Sequence, residues 1–249
     1  MKRVFIVTPA WGRIDVSKIV FSNFRYIKSA LFKYGISVEV VVVADDANLS
    51  LAKKYGLKSV MSKNDYLGKK FNDGYQFAFN NGADLVIPVG SDSLISPSII
   101  KSSLSMSKEN TIVFSSIHSV IREDGKMIGN IKSRVSRDNP NKGALWLYRR
   151  NNMKRCGFRP CNEKINKGCD RSTIESLVKK NKGIRMIIND VNFYQHVGIK
   201  SRGVQICKYN DYRSQFSEEV RDPCIALKKH FPKSIIKNLK VYYEKQNIK

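Results

Sequence analysis

The chain has 249 residues, 42% of them hydrophobic, which is enough to bury a full core, and its apolar runs are of strand length, too short to cross a bilayer. With 45 Lys and Arg against 21 Asp and Glu, the formal net charge is +24, a field that disfavours cationic partners and favours nucleic acid, anionic membrane or acidic glycan. Five cysteines without paired spacing read as free thiols in a reducing compartment, which places the protein in the cytoplasm.

Arg3 to Thr8, RVFIVT, reads as a first strand. The apolar run after Lys2 is broken by Pro9, Gly12, Arg13 and Asp15, so it is no signal peptide. Ile19, Val20, Phe24, Ile27 and Leu31 then follow helical spacing up to Gly35, a C-terminal stop. Val38 to Ala44 is a second buried strand closed by Asp45 and Asp46. Strand, helix and strand in this order make a βαβ unit with parallel neighbouring strands. A short helix over 47–55 follows, which either aspartate can cap. No G-x-G-x-x-G follows the first strand and no G-x-x-x-x-G-K-[ST] occurs, which disfavours dinucleotide and P-loop enzymes.

Residues 66–100 carry the densest pattern. Phe71, Tyr75, Ala78 and Phe79 share one helical face, Leu85 to Val89 is a buried strand, and Gly90-Ser91-Asp92-Ser93 is an acidic turn before Pro97 opens another helix. A carboxylate beyond the carboxyl end of a central strand is where open α/β sheets bind ligands. Residues 111–121 read as one long strand or a strand pair, 122–143 as a polar basic loop, and Gly143 to Arg150 as a strand. The segment 122–182 is the most basic, with 17 Lys and Arg against 6 Asp and Glu. Asp170 precedes a helix with Ile174, Leu177 and Val178 on one face, and a carboxylate there is held ionised by the free amides and dipole. Cys156, Cys161 and Cys169 lie close together without a zinc spacing. Asn192 to Gly198 reads as a short strand ending in a glycine turn, and residues 225–249 as one or two basic amphipathic helices broken at Pro232, with Ile235, Ile236, Leu239 and Tyr243 toward the body or a membrane.

Taken as an ordered set over roughly residues 3–200, TPAWGR, ADD, GSDS before Pro97, Gly157-Phe158, Asp170 and NFYQHVG resemble nucleotide-sugar glycosyltransferases of the GT-A fold, family 2 in particular. The resemblance implies an α/β fold: a single Rossmann-like domain with a central mixed sheet flanked by helices. Residues 1–100 would be its nucleotide-sugar half and 101–200 its acceptor half, with 201–249 a basic helical extension. It implies a hexosyl- or pentosyltransferase using a UDP-sugar, whose donor would be held by Thr8, Pro9, Ala10, Arg13, Asp45, Asp46, Lys69 or Lys70, Asn72, Ser91 and Asp92. Asp92 would bind a divalent metal; Gly90 stands where the family's first acidic residue would be, so His196 is the second ligand, which favours Mn2+ over Mg2+. Asp170 would be the catalytic base of an inverting reaction, with a helix cap as its other role and Glu163 as the rival base.

The basic charge of the acceptor half favours DNA with hydroxylated bases, as modified by viral enzymes in the host cytoplasm, with Arg134, Arg137, Lys142 and Trp146 as contacts. A base inside a duplex would have to be flipped out to react. The alternatives are a surface-glycan or lipopolysaccharide transferase whose basic tail touches the membrane, and a non-catalytic nucleic-acid-binding protein on the same scaffold.

Overall fold

A computed structural model describes residues 1–132, 144–190, 193–200 and 209–247. The chain opens with the expected βαβ unit: β1 (Lys2–Pro9), α1 (Ile14–Phe32) and β2 (Ile36–Ala44). The two strands pair in parallel from Lys2↔Ile36 to Pro9↔Val43. Alternation along them separates two core layers. Val4, Ile6, Val40 and Val42 pack with Phe21, Phe24 and Ile27 of α1, whereas Phe5, Val7, Val41 and Val43 pack on the opposite face.

Next come α2 (Ala47–Lys54), β3 (Lys58–Met61), α3 (Leu67–Asn80) and β4 (Leu85–Pro88). β2 and β3 lie on one side of β1 and β4 on the other, so the crossover through α3 reverses the direction in which the sheet grows. This is a topological switch point, with its crevice at the carboxyl ends of β1 and β4. The α3 helix lies close on the sheet because Gly74 lets it: a Cβ there would sit 2.3 Å from Val7 Cγ1 and 2.9 Å from Val43 Cγ2.

After β5 (Ser93–Ile95) and α4 (Pro97–Met106), the stretch read as one strand or a pair divides into β6 (Thr111–Ser115) and β7 (Ile117–Ile121), which enter different sheets. Part of the expected basic loop is a strand, β8 (Met127–Lys132): it turns back at Asp124-Gly125 and pairs antiparallel with β7. Then follow β9 (Ala144–Arg149), α5 (Arg150–Lys154), α6 (Cys169–Lys180), β10 (Arg185–Ile188) and β11 (His196–Ile199). A 3-10 helix (Tyr209–Gln215), β12 (Phe216–Arg221), α7 (Pro223–Leu227) and α8 (Lys233–Asn247) complete the described chain.

The larger sheet has the order β10-β6-β9-β4-β1-β2-β3, and the smaller β12-β8-β7-β11-β5. Only β9 runs against its neighbours in the larger one, so the sheet is mixed and flanked by helices on both faces. The apolar face of α8, with Ile235, Leu239, Tyr242 and Tyr243, is buried in the same core as α1. Packing on the body, and not a membrane, accounts for those four residues.

Candidate functional site

The carboxyl ends of β1 and β4 open into a cleft of about 540 Å³, whose lining includes Pro9, Ala10, Trp11 and Arg13 from the turn after β1, Ser91 and Asp92 from the turn after β4, Asn64, Asp65 and Lys70 from around α3, and Lys200 and Tyr212 from the far side. A second hollow, of about 560 Å³, lies between α1 and α8. It is away from the strand ends.

Arg13 has a left-handed backbone, φ 42°, directly after Gly12 at φ 55°. A long side chain adopts this region at a cost, and such residues gather at functional sites. The turn sends the guanidinium across to Asp92, where Nη1 donates to Oδ2 at 3.2 Å. The two side chains are only 19% and 25% exposed.

Asp46 fixes this turn from below. One carboxylate oxygen accepts from the Gly12 amide at 2.8 Å and the other from the Asn48 amide at 2.8 Å, which caps α2. Burial alone would raise its pKa, but the hydrogen bonds from Gly12 and Asn48 and the Lys70 charge outweigh it and hold the carboxyl below its usual range. The helix-cap role open in the sequence is therefore filled by Asp46. Its neighbour Asp45 accepts from the Asn64 amide at 2.6 Å.

Lys70 is 2% exposed, and its ammonium donates to the Ala10 carbonyl at 3.2 Å and to Asn64 Oδ1 at 2.7 Å, with Asp45 Oδ1 4.0 Å away. Burial pushes its pKa down, against the pull of Asp45, Asp46 and Asp65. Of the two lysines expected near the diphosphate, Lys70 lines the cleft. Lys69 does not; it pairs with Asp73 at 2.9 Å on the next turn.

Three further expectations are corrected. Asn72 is fully buried and clamps the Cys161 backbone, donating to its carbonyl at 2.8 Å and accepting from its amide at 3.0 Å, so it braces a loop and does not line the switch-point cleft. Trp146 is 1% exposed and stacks on Phe114, with ring centroids 4.5 Å apart: an indole on a central strand belongs to the core and not to an acceptor surface. Thr8 is also sealed in the sheet, its hydroxyl without a hydrogen-bond partner among the described residues. Arg134, Arg137 and Lys142 lie outside the described residues.

His196 lies at the start of β11, and Phe193 and Tyr194 form the turn that was read as strand. Gly198 is a strand residue paired with Ser93. Burial holds the His196 imidazole neutral, its pKa lowered to about 4, with the Asp92 charge acting the other way. Asp92 is thus within electrostatic reach of the ring. The Nδ1 atom of His196 is buried and without a hydrogen-bond partner among the described residues. A neutral imidazole with an orphaned nitrogen is a competent metal donor, but the ring lies behind the cleft wall and does not line the cleft with Asp92. No cluster of three or more His, Cys, Asp or Glu side chains able to hold a metal is assembled among the described residues.

Asp170 is in the first turn of α6, after Gly168 rather than at the cap itself. Four residues earlier Asn166 lines the cleft, while Asp170 does not. The protein bulk around its carboxyl pushes the pKa up to about 6. Its side chain also meets solvent, which favours the charged form, and with a pKa near 6 the carboxyl is still mostly ionised at neutral pH despite the upward push. Glu163, the rival base, is tied to Arg159, with a closest approach of 2.6 Å, and to Asn72.

Sequence reasoning missed Trp11, Asn64, Asp65, Lys200 and Tyr212 as cleft residues. Trp11 stood in the quoted turn and is 59% exposed. Asn64 and Asp65 follow β3, a four-residue edge strand too short to be read from its pattern, and Lys200 and Tyr212 arrive from sequence-distant segments.

No protein-family model and no curated protein matches the sequence. Among solved structures, the chain is similar to S. aureus TarS 1-349 in complex with UDP, at 17% identity and a TM-score of 0.53, over 81% of this chain and 61% of that one. Mannosyltransferase PcManGT from Pyrobaculum calidifontis, in complex with GDP-Man and Mn2+, matches at 14% identity and a TM-score of 0.50, over 81% and 58%. The chain thus spans about three fifths of the length of these two. A Desulfovibrio desulfuricans G20 protein assigned as a nucleotide-diphospho-sugar transferase matches at 12% identity and a TM-score of 0.53, over 99% of both chains. The mixed sheet, its switch-point cleft and these likenesses agree on one architecture: the chain has the GT-A fold, the fold of nucleotide-sugar glycosyltransferases.

Proposed function

We propose that the protein is a glycosyltransferase that moves a sugar from a nucleotide sugar to an acceptor hydroxyl. The observation that carries this reading is the cleft at the switch point, where Asp92 faces Arg13 and the cations Lys70 and Lys200 share one lining. Arg13 and Lys200 take up the charge of the diphosphate, with Lys70 fixing the turn beneath it. Trp11, exposed at the rim, offers a ring face to the nucleotide base, and the carboxylates of Asp45 and Asp65 accept from ribose hydroxyls. The Arg13–Asp92 pair is a single contact at 3.2 Å, which donor phosphates can replace as they enter.

Asp92, with His196 as a nitrogen ligand favouring Mn2+, would hold a divalent metal, which would supply positive charge to the leaving diphosphate. Asp170 takes the proton from the acceptor hydroxyl; the freed oxygen bonds to the anomeric carbon as the bond to the diphosphate breaks, with inversion. This role for Asp170 follows the order of motifs and its ionised state at the start of α6.

For the acceptor, the charge supports DNA carrying hydroxylated bases: 17 cationic against 6 anionic residues fall in 122–182. Burial of the α8 apolar face weighs against the alternative of a transferase whose tail lies on lipid. The test is incubation with labelled UDP- or GDP-sugars and Mn2+, with and without hydroxymethylated DNA. Sugar release that depends on Asp92 supports the transferase, and label on the DNA supports the acceptor. No release from any donor would leave a non-catalytic scaffold, and label only on a glycan acceptor would replace the DNA reading.

A further inference from the structure

Lys200 directly follows β11 and lines the switch-point cleft with Arg13 and Asp92. The chain around it is tied down on two sides. On one side the Ile199 amide donates to the Asp92 carbonyl at 2.7 Å, which joins the end of β11 to the acidic turn. On the other, the Tyr243 hydroxyl of α8 donates to the Lys200 carbonyl at 2.9 Å. The ammonium lies over the Tyr212 ring, 5.3 Å from its centroid, and Tyr212 lines the same cleft. A lysine carries its charge on a long flexible stem, so the backbone beneath it must be fixed if the charge is to arrive at one place.

Tyr243 is itself firmly seated. It is 6% exposed, and its ring packs on the turn between β7 and β8, where a Cβ on Gly125 would sit 2.4 Å from Tyr243 Cγ. The left-handed φ of 73° at Gly125 favours glycine there for a second reason. Asn247, one turn further along α8, donates to the Asp124 carbonyl at 3.0 Å, so the helix is pinned to that same turn. Burial raises the Tyr243 phenol well above its usual pKa, and the nearby Tyr242, Glu123, Asp124 and Asp92 add to the effect. The hydroxyl therefore stays protonated and able to donate. A phenylalanine ring would fill the same space; the hydroxyl adds a bond to the backbone of a cleft cation.

We propose that Tyr243 is a positioning residue for the donor diphosphate: through the Lys200 carbonyl it holds the Lys200 ammonium at the cleft, which makes the C-terminal helix α8 part of the donor site. The proposal rests on the reading of the cleft as a nucleotide-sugar site with Lys200 on the diphosphate. It gives the basic C-terminal extension a role in binding donor, beyond covering the core.

The test is calorimetric titration of the full chain with UDP, UMP, GDP and GMP in the presence of Mn2+, for wild type, Tyr243→Phe, Lys200→Ala and the double variant. Near-UV circular dichroism and melting temperature follow the fold, and Tyr243→Phe keeps the ring that packs on Gly125. Loss of one buried hydrogen bond is expected to weaken diphosphate binding in Tyr243→Phe by about three- to tenfold. Lys200→Ala should lose more, and Tyr243→Phe should add nothing in the Lys200→Ala background, because the two act through one group. Monophosphate binding should change little in either variant. Wild-type diphosphate affinity in Tyr243→Phe overturns the proposal. So does an equal loss for mono- and diphosphates, or an undiminished effect in the Lys200→Ala background, since both are marks of a merely structural role. Failure of wild type to bind any nucleoside diphosphate would overturn the reading of the cleft itself, and is thereby distinguished from failure of the role given to Tyr243.

Discussion

At the scale of single residues, the cleft depends on one carboxylate with two roles. Asp92 holds Arg13 in the structure as described and is the acidic ligand in the functional reading. Asp92→Asn keeps the shape, weakens both roles, and is expected to reduce donor affinity by at least tenfold with little change in melting temperature, checked by calorimetric titration with UDP- and GDP-sugars. Asp170 makes a different prediction. A base with its pKa raised to about 6 works only when ionised, so kcat/KM should rise about tenfold per pH unit below 6 and level off above it. Asp170→Asn should lose about 10²–10⁴ in turnover, lose that limb, and keep donor affinity. The sign for stability is opposite to that of a salt-bridged aspartate: a raised folded pKa favours the protonated form, so this contribution is present below about pH 4 and lost as pH rises through 6. Asp170→Asn should therefore not lower the melting temperature at pH 7, and a profile that keeps its acid limb in that variant would move the base elsewhere.

At the scale of elements, α3 and the turn after β1 set the cleft floor. Gly74→Ala would place a methyl 2.3 Å from Val7 Cγ1, which must lift α3 from the sheet. Overpacking of this kind costs about 1–3 kcal/mol, read as a lower urea midpoint, and donor affinity should fall with it because Lys70 is one turn away. Val7→Ala in the same chain should restore part of both. Asp46→Ala should remove about 1 kcal/mol of helix capping and loosen Gly12 and Arg13, so melting temperature and donor affinity decline together. These elements were largely legible in the sequence: the 3.6-residue spacing of α1 and α3 and the solid apolar runs of β1, β2 and β4 belong to buried central structure, where pattern and burial coincide. β3, with four residues at a sheet edge, has no such pattern. β8 was hidden inside a basic stretch because it is covered on one side by β12 from nearly ninety residues later, a pairing that local sequence does not announce. Within the site, the strand-end residues Pro9, Arg13 and Asp92 could be found from the sheet rule, while Lys200 and Tyr212 arrive from sequence-distant segments. The misplaced Asn72 and Trp146 are residues whose types suit a binding site and whose positions, on a packed helix face and a central strand, commit them to the core.

At the scale of the whole molecule, part of the excess charge is clustered. Lys154, Arg155, Lys179, Lys180, Lys182 and Arg185 are exposed and enter no ion pair among the described residues. Their segments converge, since Asn181 donates to the Asn152 carbonyl at 3.1 Å and the Arg185 amide to the Asn110 carbonyl at 2.8 Å. This cluster is at the amino end of β6 and β10, opposite the cleft, and suits an anchor for a polyanion more than a contact to the reacting group. Duplex DNA should bind at low salt with log K falling by about 0.9 per phosphate neutralised for each log unit of salt. Reversing Lys154, Arg155 and Arg185 to glutamate should make that slope shallower and leave donor affinity unchanged; an unaltered slope would place the contact elsewhere. The central claim, that the switch-point cleft takes a nucleotide sugar through Asp92 and Arg13, is tested most directly by calorimetric titration of wild type, Asp92→Asn and Arg13→Ala with UDP- and GDP-sugars in the presence of Mn2+. The account predicts saturable one-to-one binding in wild type, weakened at least tenfold in each variant; no binding of any nucleotide sugar, or equal binding by all three proteins, would contradict it.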